Sequence, residues 1–214
     1  MPRITSISPQ KKAKNRFSIY IDGKFAMGLD ETLLTKYNLK VDDELSRSLQ
    51  EELEEKDRKE QAYNGLLNYI SYRERCESEV NDWLFRKGFP DLRSELIQRL
   101  KDRDFLNDER FAEMFVRDRV NLKQWGPLRL RQELLKKRIS RDIIERSIEN
   151  ISEDVDFHAM AADLAARKVK TIPKPTLKDK QRIWSYLQRR GYDSAGIQNA
   201  LSAHSFEVGQ DNSK

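Results

Sequence analysis

Apolar residues in the second half of the chain recur with a helical period. Leu130 and Leu134 share a stripe at i, i+4 with Leu135 beside it, while Arg129, Arg131, Gln132, Lys136, Lys137 and Arg138 occupy the other faces against a single acid, Glu133. The start of this helix is signposted. Pro127 suits the first helical position, where its missing N–H would have gone unpaired; Gly126 is then the N-cap, with Trp125 and Leu130 placed as a hydrophobic staple. A helix of this kind packs on one side and presents cations on the other.

The helix ending recurs as Leu84-Phe85-Arg86-Lys87-Gly88-Phe89, Leu134-Leu135-Lys136-Lys137-Arg138-Ile139 and Leu187-Gln188-Arg189-Arg190-Gly191-Tyr192, whose first leucines are 50 and then 53 residues apart. Basic residues in the last turn complement the helix dipole. Gly88 and Gly191 stand where a left-handed residue ends a helix, with Phe89 and Tyr192 one position beyond. Arg138 breaks the pattern: either it carries a left-handed backbone at a cost of roughly 1–2 kcal/mol, or the second unit turns differently. A shorter helix follows each ending (92–100, 143–151, 197–201), and a longer one precedes each pair (61–72, 108–123, 155–169). Asn107, Ser140 and Thr176 with Asp179 are cap signals, and Pro173-Lys174-Pro175 separates the first two helices of the third unit. Cys76, three residues before Glu79, reads as a cap surrogate or a semi-buried thiol.

Residues 1–60 differ. Stretches 4–7, 17–21 and 25–27 have strand composition, and Asp22-Gly23 is a two-residue hairpin signal because glycine tolerates the positive φ of a type I′ turn. The connection 9–15 is basic and expected to be exposed, and Asp30 is placed to cap a short helix ending near Tyr37. Between 42 and 60 stand nine acids and four bases, a solvated helix or linker. The fold class is therefore mainly α: tandem three-helix-bundle repeats forming an elongated curved array, preceded by a small N-terminal β-hairpin-containing domain. The expected divisions are 1–60, 61–106, 107–152 and 153–214, the last with a short C-terminal tail. Units of such short helices bury little surface alone and gain by stacking.

Composition agrees with narrow apolar stripes rather than one deep core: 37% of the 214 residues are hydrophobic and 36% charged. One cysteine excludes an intramolecular disulfide framework, and His158 and His204 lack metal-ligand spacing. With no long apolar run and no signal-peptide pattern, a soluble cytoplasmic protein without membrane contact is expected. Phosphate-cradling glycines and nucleophile frames are missing, and the acid pairs lie in hydrophilic runs. The expectation is a protein with no catalytic residues, no metal and no cofactor.

The net charge of +5 is not evenly spread. Nine cations stand against two acids between Arg117 and Arg141, and nine against Asp179 between Arg167 and Arg190. Cations ordinarily just solvate helix faces, but their recurrence at corresponding places in two units favours a binding surface. The candidates are Arg117, Lys123, Arg129, Arg131, Lys136 and Lys137 in the second unit, and Arg167, Lys168, Lys178, Arg182, Arg189 and Arg190 in the third. Trp125, Trp184 and Tyr186 fit apolar stripes or the staple and read as core.

In order along the chain, Leu106-Asn107-Asp108-Glu109-Arg110-Phe111-Ala112, Gly126-Pro127-Leu128-Arg129-Leu130 and Glu133-Leu134-x-x-Lys137-x-Ile139 resemble the RecX family of recombination regulators. Lys87-Gly88-Phe89 and Arg189-Arg190-Gly191-Tyr192 match its other repeats, and the N-terminal hairpin is similar to an extension some members carry. The likeness covers roughly 61–203; Arg138 replaces the usual glycine, and Cys76 stands where serine or another cap is common. The resemblance implies a non-enzymatic modulator of the RecA recombinase, acting in recombination, repair and the SOS response. It implies a monomer lying in the groove of the RecA–single-stranded DNA filament and inhibiting its ATPase and strand exchange, or altering its assembly. The cations would then meet acidic filament surface, DNA phosphates, or both, so that direct contact with single-stranded DNA stays open. A second reading, from the three-helix units with a basic helix, is a stand-alone helix-turn-helix or winged-helix-like DNA-binding protein.

Overall fold

A computed structural model describes residues 2–11 and 15–208. Lys12 and Lys14 of the basic connection, and the tail from residue 209, lie outside the described residues. The elements are β1 (Ile4–Pro9), β2 (Arg16–Ile21), β3 (Lys24–Asp30), α1 (Glu31–Lys36), α2 (Arg47–Ser71), α3 (Glu77–Arg86), a 3₁₀ turn (Pro90–Leu92), α4 (Arg93–Asp102), α5 (Asp108–Lys123), α6 (Pro127–Lys136), α7 (Arg141–Asp154), α8 (Phe157–Lys170), α9 (Leu177–Arg190) and α10 (Ser194–Ser202). By its internal contacts the chain divides into two units, one of residues 2–73 and 83–99, the other of 74–82 and 100–208, so that the division falls within α3 and α4.

In the first unit the strands form an antiparallel sheet in the order β1-β2-β3. Asp22 and Gly23 have φ of 47° and 77°, the left-handed pair that a type I′ hairpin needs. Ile4, Ile19, Met27 and Leu29 from the sheet pack with Leu33, Leu45 and Leu53. Asp30 caps α1 by accepting the Thr32 N–H. The acidic stretch is helical from Arg47, and it continues without a break to Ser71. What the sequence offers as a linker and then the first helix of a repeat is one helix of 25 residues.

In the second unit α5, α6 and α7 enclose one core around Phe111, Val116, Leu130, Leu134 and Ile148. The helices α8, α9 and α10 enclose another around Leu164, Ile183, Leu187 and Ile197. Asn107 and Ser140 cap α5 and α7, and Thr176 with Asp179 forms a complete capping box. Helix α7, at 14 residues, is longer than expected. Cys76 is fully buried in the first of these cores, and burial pushes its thiol up, so it is a protonated core residue. Past α10 the chain returns beside the start of α9, where Glu207 N–H donates to Pro175 O (2.8 Å) and Leu177 N–H to Glu207 O (3.1 Å).

All three repeated helix endings close with the same pair of bonds. Phe89, Ile139 and Tyr192 donate to the carbonyls of Leu84, Leu134 and Leu187, while Gly88, Arg138 and Gly191 donate to those three residues before them. Arg138 has φ of 59°, so the second unit keeps the common turn and bears its strain. Its side chain offers little in return, being 3.9 Å from Asp82 with both groups largely exposed. Arg138→Gly is expected to stabilise the chain by about 1 kcal/mol in urea unfolding; no gain would mean that the arginine's conformation is relieved by contacts of its own.

Candidate functional site

The basic residues are organised by a helix junction. Helix α5 ends at Gln124, left-handed with φ of 52°, which turns the chain into Trp125 and Gly126; α9 ends at Gly191, left-handed with φ of 92°. There the start of α6 meets the end of α9. Gly126 N–H donates to Arg190 O at 2.7 Å and Leu128 N–H to Gly191 O at 3.0 Å. Donors that a helix start leaves unpaired thus meet acceptors that a helix end leaves unpaired, and the two ends carry opposite partial charges. The approach leaves no room for a side chain: a Cβ on Gly126 would lie 2.5 Å from Gly191 O, and one on Gly191 2.3 Å from Arg129 N. Tyr192 Oη donates to Gln124 O across the same junction (3.1 Å). Burial pushes this phenol up to about 12, so it remains a donor at neutral pH.

Around this junction the cations converge. Arg129 donates to Arg189 O at 2.9 Å, and its guanidinium lies 4.1 Å from the centre of the Trp125 ring. Arg190 donates to Lys123 O and lies over Tyr186, whose ring also receives Lys168, both at 4.9 Å. The guanidinium groups of Arg129 and Arg190 therefore meet the backbones of Arg189 and Lys123 at one corner, with Lys168 close by. The partners of Arg129, Arg190 and Lys168 are helix-terminal carbonyls and aromatic rings, which attract a cation without cancelling its charge. Among the described residues none of these five faces a carboxylate at ion-pair distance.

The face continues along α9. Lys178, Arg182, Ser185 and Arg189 fall at i, i+4, i+7 and i+11 and line one shallow groove with Gln181. Arg182 also borders a cleft of about 450 Å³ with Lys168, Tyr186, Ile172 and Pro173. Its pairing with Asp179 (3.3 Å) leaves the guanidinium 81% exposed, so it too is available to a partner.

The remaining candidates sit differently. Arg131 is clasped by both carboxylate oxygens of Glu145 (Nε 2.8 Å, Nη2 2.7 Å), which holds the Glu145 carboxyl below its usual range. Lys137 reaches Glu79 at 2.7 Å while its carbonyl accepts the Ser78 hydroxyl at 2.6 Å. Lys136 pairs with Glu133 and Arg167 with Asp163, both on the surface. Arg117 stands exposed on α5, six residues before Lys123. Arg119, not singled out from the sequence, lies over Phe115 (4.8 Å) and Trp125 (5.5 Å); its i, i+4 spacing from Phe115 is the signal that could have found it. Trp125 and Tyr186 are core residues on one side and a cation platform on the other. No three His, Cys, Asp or Glu side chains among the described residues are grouped to hold a metal, and no helix there is long and apolar enough to cross a membrane.

Comparison with known proteins assigns the chain segment by segment. Residues 2–46 match the regulatory protein RecX N-terminal domain, 62–91 the first RecX three-helix domain, 107–148 the second and 154–201 the third. A regulatory protein RecX of Oceanobacillus iheyensis is 34% identical over 204 residues, covering 92% of this chain and 75% of that one. One of Bacillus velezensis is 34% identical over 208 residues, covering 97% and 79%. Among solved structures, a crystal structure of regulatory protein RecX superimposes with a TM-score of 0.71 at 26% identity, covering 92% of this chain and 98% of that one. RecX from Lactobacillus salivarius gives 0.61 at 27% identity, covering 68% and 95%. With its sheet followed by three helical units in the same order, the chain belongs to the RecX family of regulatory proteins.

Proposed function

We propose that this regulator binds the filament that the RecA recombinase forms on single-stranded DNA and slows its ATP hydrolysis and strand exchange, with the basic face of the second and third three-helix units as the contact surface. One observation carries the reading. Where α5, α6 and α9 meet, carbonyls and rings hold the Arg129 and Arg190 guanidinium groups without neutralising them, and the residues that supply two of those carbonyls, Lys123 and Arg189, are themselves exposed cations. A positive potential of that kind survives for an anionic partner, whether phosphates or acidic protein surface. The glycine-to-glycine junction fixes the spacing of the cations, so several contacts can form together and reinforce one another. No chemistry by the regulator is needed: it slows hydrolysis to the extent that it binds a slower form of the filament more tightly than the active one.

The test is RecA-dependent ATP hydrolysis on single-stranded DNA with the regulator at near-equal ratio to the recombinase. Hydrolysis is expected to slow, and Lys123→Glu/Arg189→Glu, which alters two exposed side chains, is expected to lose the effect with its helical circular dichroism intact. Uninhibited hydrolysis at saturating regulator would overturn the reading. If six to ten cations meet phosphates, binding falls roughly 10³–10⁵-fold between 50 and 200 mM salt, and acidic protein surface gives a weaker dependence. A discrete footprint on bare duplex DNA would support the stand-alone DNA-binding reading instead.

A further inference from the structure

A cleft of about 460 Å³ opens within the second unit, between α7, the start of α8 and the turn from α9 to α10. Its walls are largely apolar, formed by Pro127, Leu128, Ile148, Phe157, Tyr192 and Gly196. Its volume lies in the range of small-ligand sites. Gly196 on its wall has no room for a side chain, since a Cβ there would stand 2.9 Å from Asp193 Oδ1 and 3.2 Å from His158 Nδ1.

The rim is acidic. Glu149 and Glu153 border the cleft, both exposed, and neither has a hydrogen-bond or ion-pair partner among the described residues. Their position is locally unfavourable on two counts. They are like charges at i, i+4, and Glu153 stands in the last turn of α7, which carries no basic residue to offset it. Asp193 has a separate structural task, capping α10 through the Gly196 N–H at 2.8 Å. Arg131 also lines the cleft; the Nε–Nη2 edge of its guanidinium lies on Glu145 and it attracts Glu149 as well, yet Glu149, Glu153 and Asp193 still outnumber it around the rim.

We infer that this cleft is a docking site for a basic segment of a protein partner, taking one lysine or arginine side chain with an aliphatic neighbour. The methylene stem and the aliphatic residue pack on Ile148, Phe157 and Tyr192, while the cationic head meets Glu149 and Glu153 in charge-assisted hydrogen bonds. Nucleic acid is repelled by the same rim. The regulator thus presents surfaces of opposite sign, the cationic face along α9 and an anionic cleft beside α7. The inference goes beyond the filament reading and does not require it.

The test uses the full chain and two probes, acetyl-Leu-Arg-Leu-Lys-amide and acetyl-Leu-Glu-Leu-Glu-amide, followed by amide chemical shifts in NMR spectra. The basic peptide is expected to move the Ser152, Tyr192 and Gly196 amides saturably, and the acidic peptide to leave them unmoved. Glu149→Gln/Glu153→Gln should weaken the basic peptide at least tenfold without lowering the unfolding midpoint. No saturable shifts, equal shifts from both peptides, or the same amides moved by oligodeoxythymidine would overturn the inference. A variant that binds the peptide as wild type would do so too. Failure of the regulator to slow the recombinase leaves every one of these outcomes readable.

Discussion

Gly191→Ala should lower the unfolding free energy by about 3–5 kcal/mol, against about 1 kcal/mol for the same change at Gly88. The two glycines hold the same place in their repeats and have nearly the same backbone, with φ of 92° and 81°. What differs is the surroundings. A methyl group at Gly88 would meet nothing within 4 Å, so only the left-handed conformation is penalised. At Gly191 it would lie 2.3 Å from Arg129 N and 2.4 Å from Arg129 Cβ, so α6 would have to withdraw. Withdrawal would break the bonds from Gly126 N–H to Arg190 O and from Leu128 N–H to Gly191 O, each contributing about 1 kcal/mol net. It would also pull Arg129 off Arg189 O and disperse the basic corner without altering any charge. Urea unfolding of both variants checks the stability, and the recombinase assay should find inhibition lost at Gly191 and kept at Gly88. Equal costs at the two glycines would show that the junction contributes nothing to the fold.

The contrast between these glycines marks where the sequence is legible. That Gly88 and Gly191 end helices follows from local spacing, as do the Asp22-Gly23 hairpin and the Thr176–Asp179 box, because the partners lie within a few residues of one another. Gly126 reads locally as an N-cap, and it is one, but the backbone crowded against it is that of Gly191, 65 residues away in sequence, and nothing local announces that approach. The cations show the same limit. Arg131 and Arg129 are alike in sequence, yet Glu145 neutralises the first and the Trp125 ring receives the second. Only the packing of α7 against α6 decides between them. Lys137 is tied to Glu79 and Arg190 to the Lys123 carbonyl across 58 and 67 residues, pairings that composition cannot reveal. The first half of α2 is hidden for a different reason. Its buried side is Leu49, half-buried, then Leu53, and one turn later a carboxylate occupies the place where a core leucine would continue the stripe.

That carboxylate is Asp57, and Asp57→Ala should lower stability by roughly 3–5 kcal/mol. Its side chain is 5% exposed and both carboxylate oxygens are used. Arg16 grips both oxygens (3.1 and 2.8 Å), Asp30 N–H donates to Oδ1 at 2.9 Å, and the Gln61 amide to Oδ2 at 2.6 Å. One group on α2 thereby ties down β2 and the residue that caps α1, so its loss would strand a half-buried guanidinium and a backbone N–H together. Asp91 provides the comparison. Arg58 grips it with the same two-pronged geometry, at 2.5 and 2.7 Å, but in the open, with both side chains about half exposed. There water replaces whatever is removed, and Asp91→Ala should leave urea unfolding almost unchanged. Most of the penalty at Asp57 belongs to the partner left behind, not to the attraction lost. Arg16→Met added to Asp57→Ala should therefore recover a large part of it, since an apolar side chain needs no counter-ion in that place. A double variant as unstable as the sum of the two single ones would show instead that the network's backbone bond to Asp30, and not the buried charge, holds α2 on the sheet.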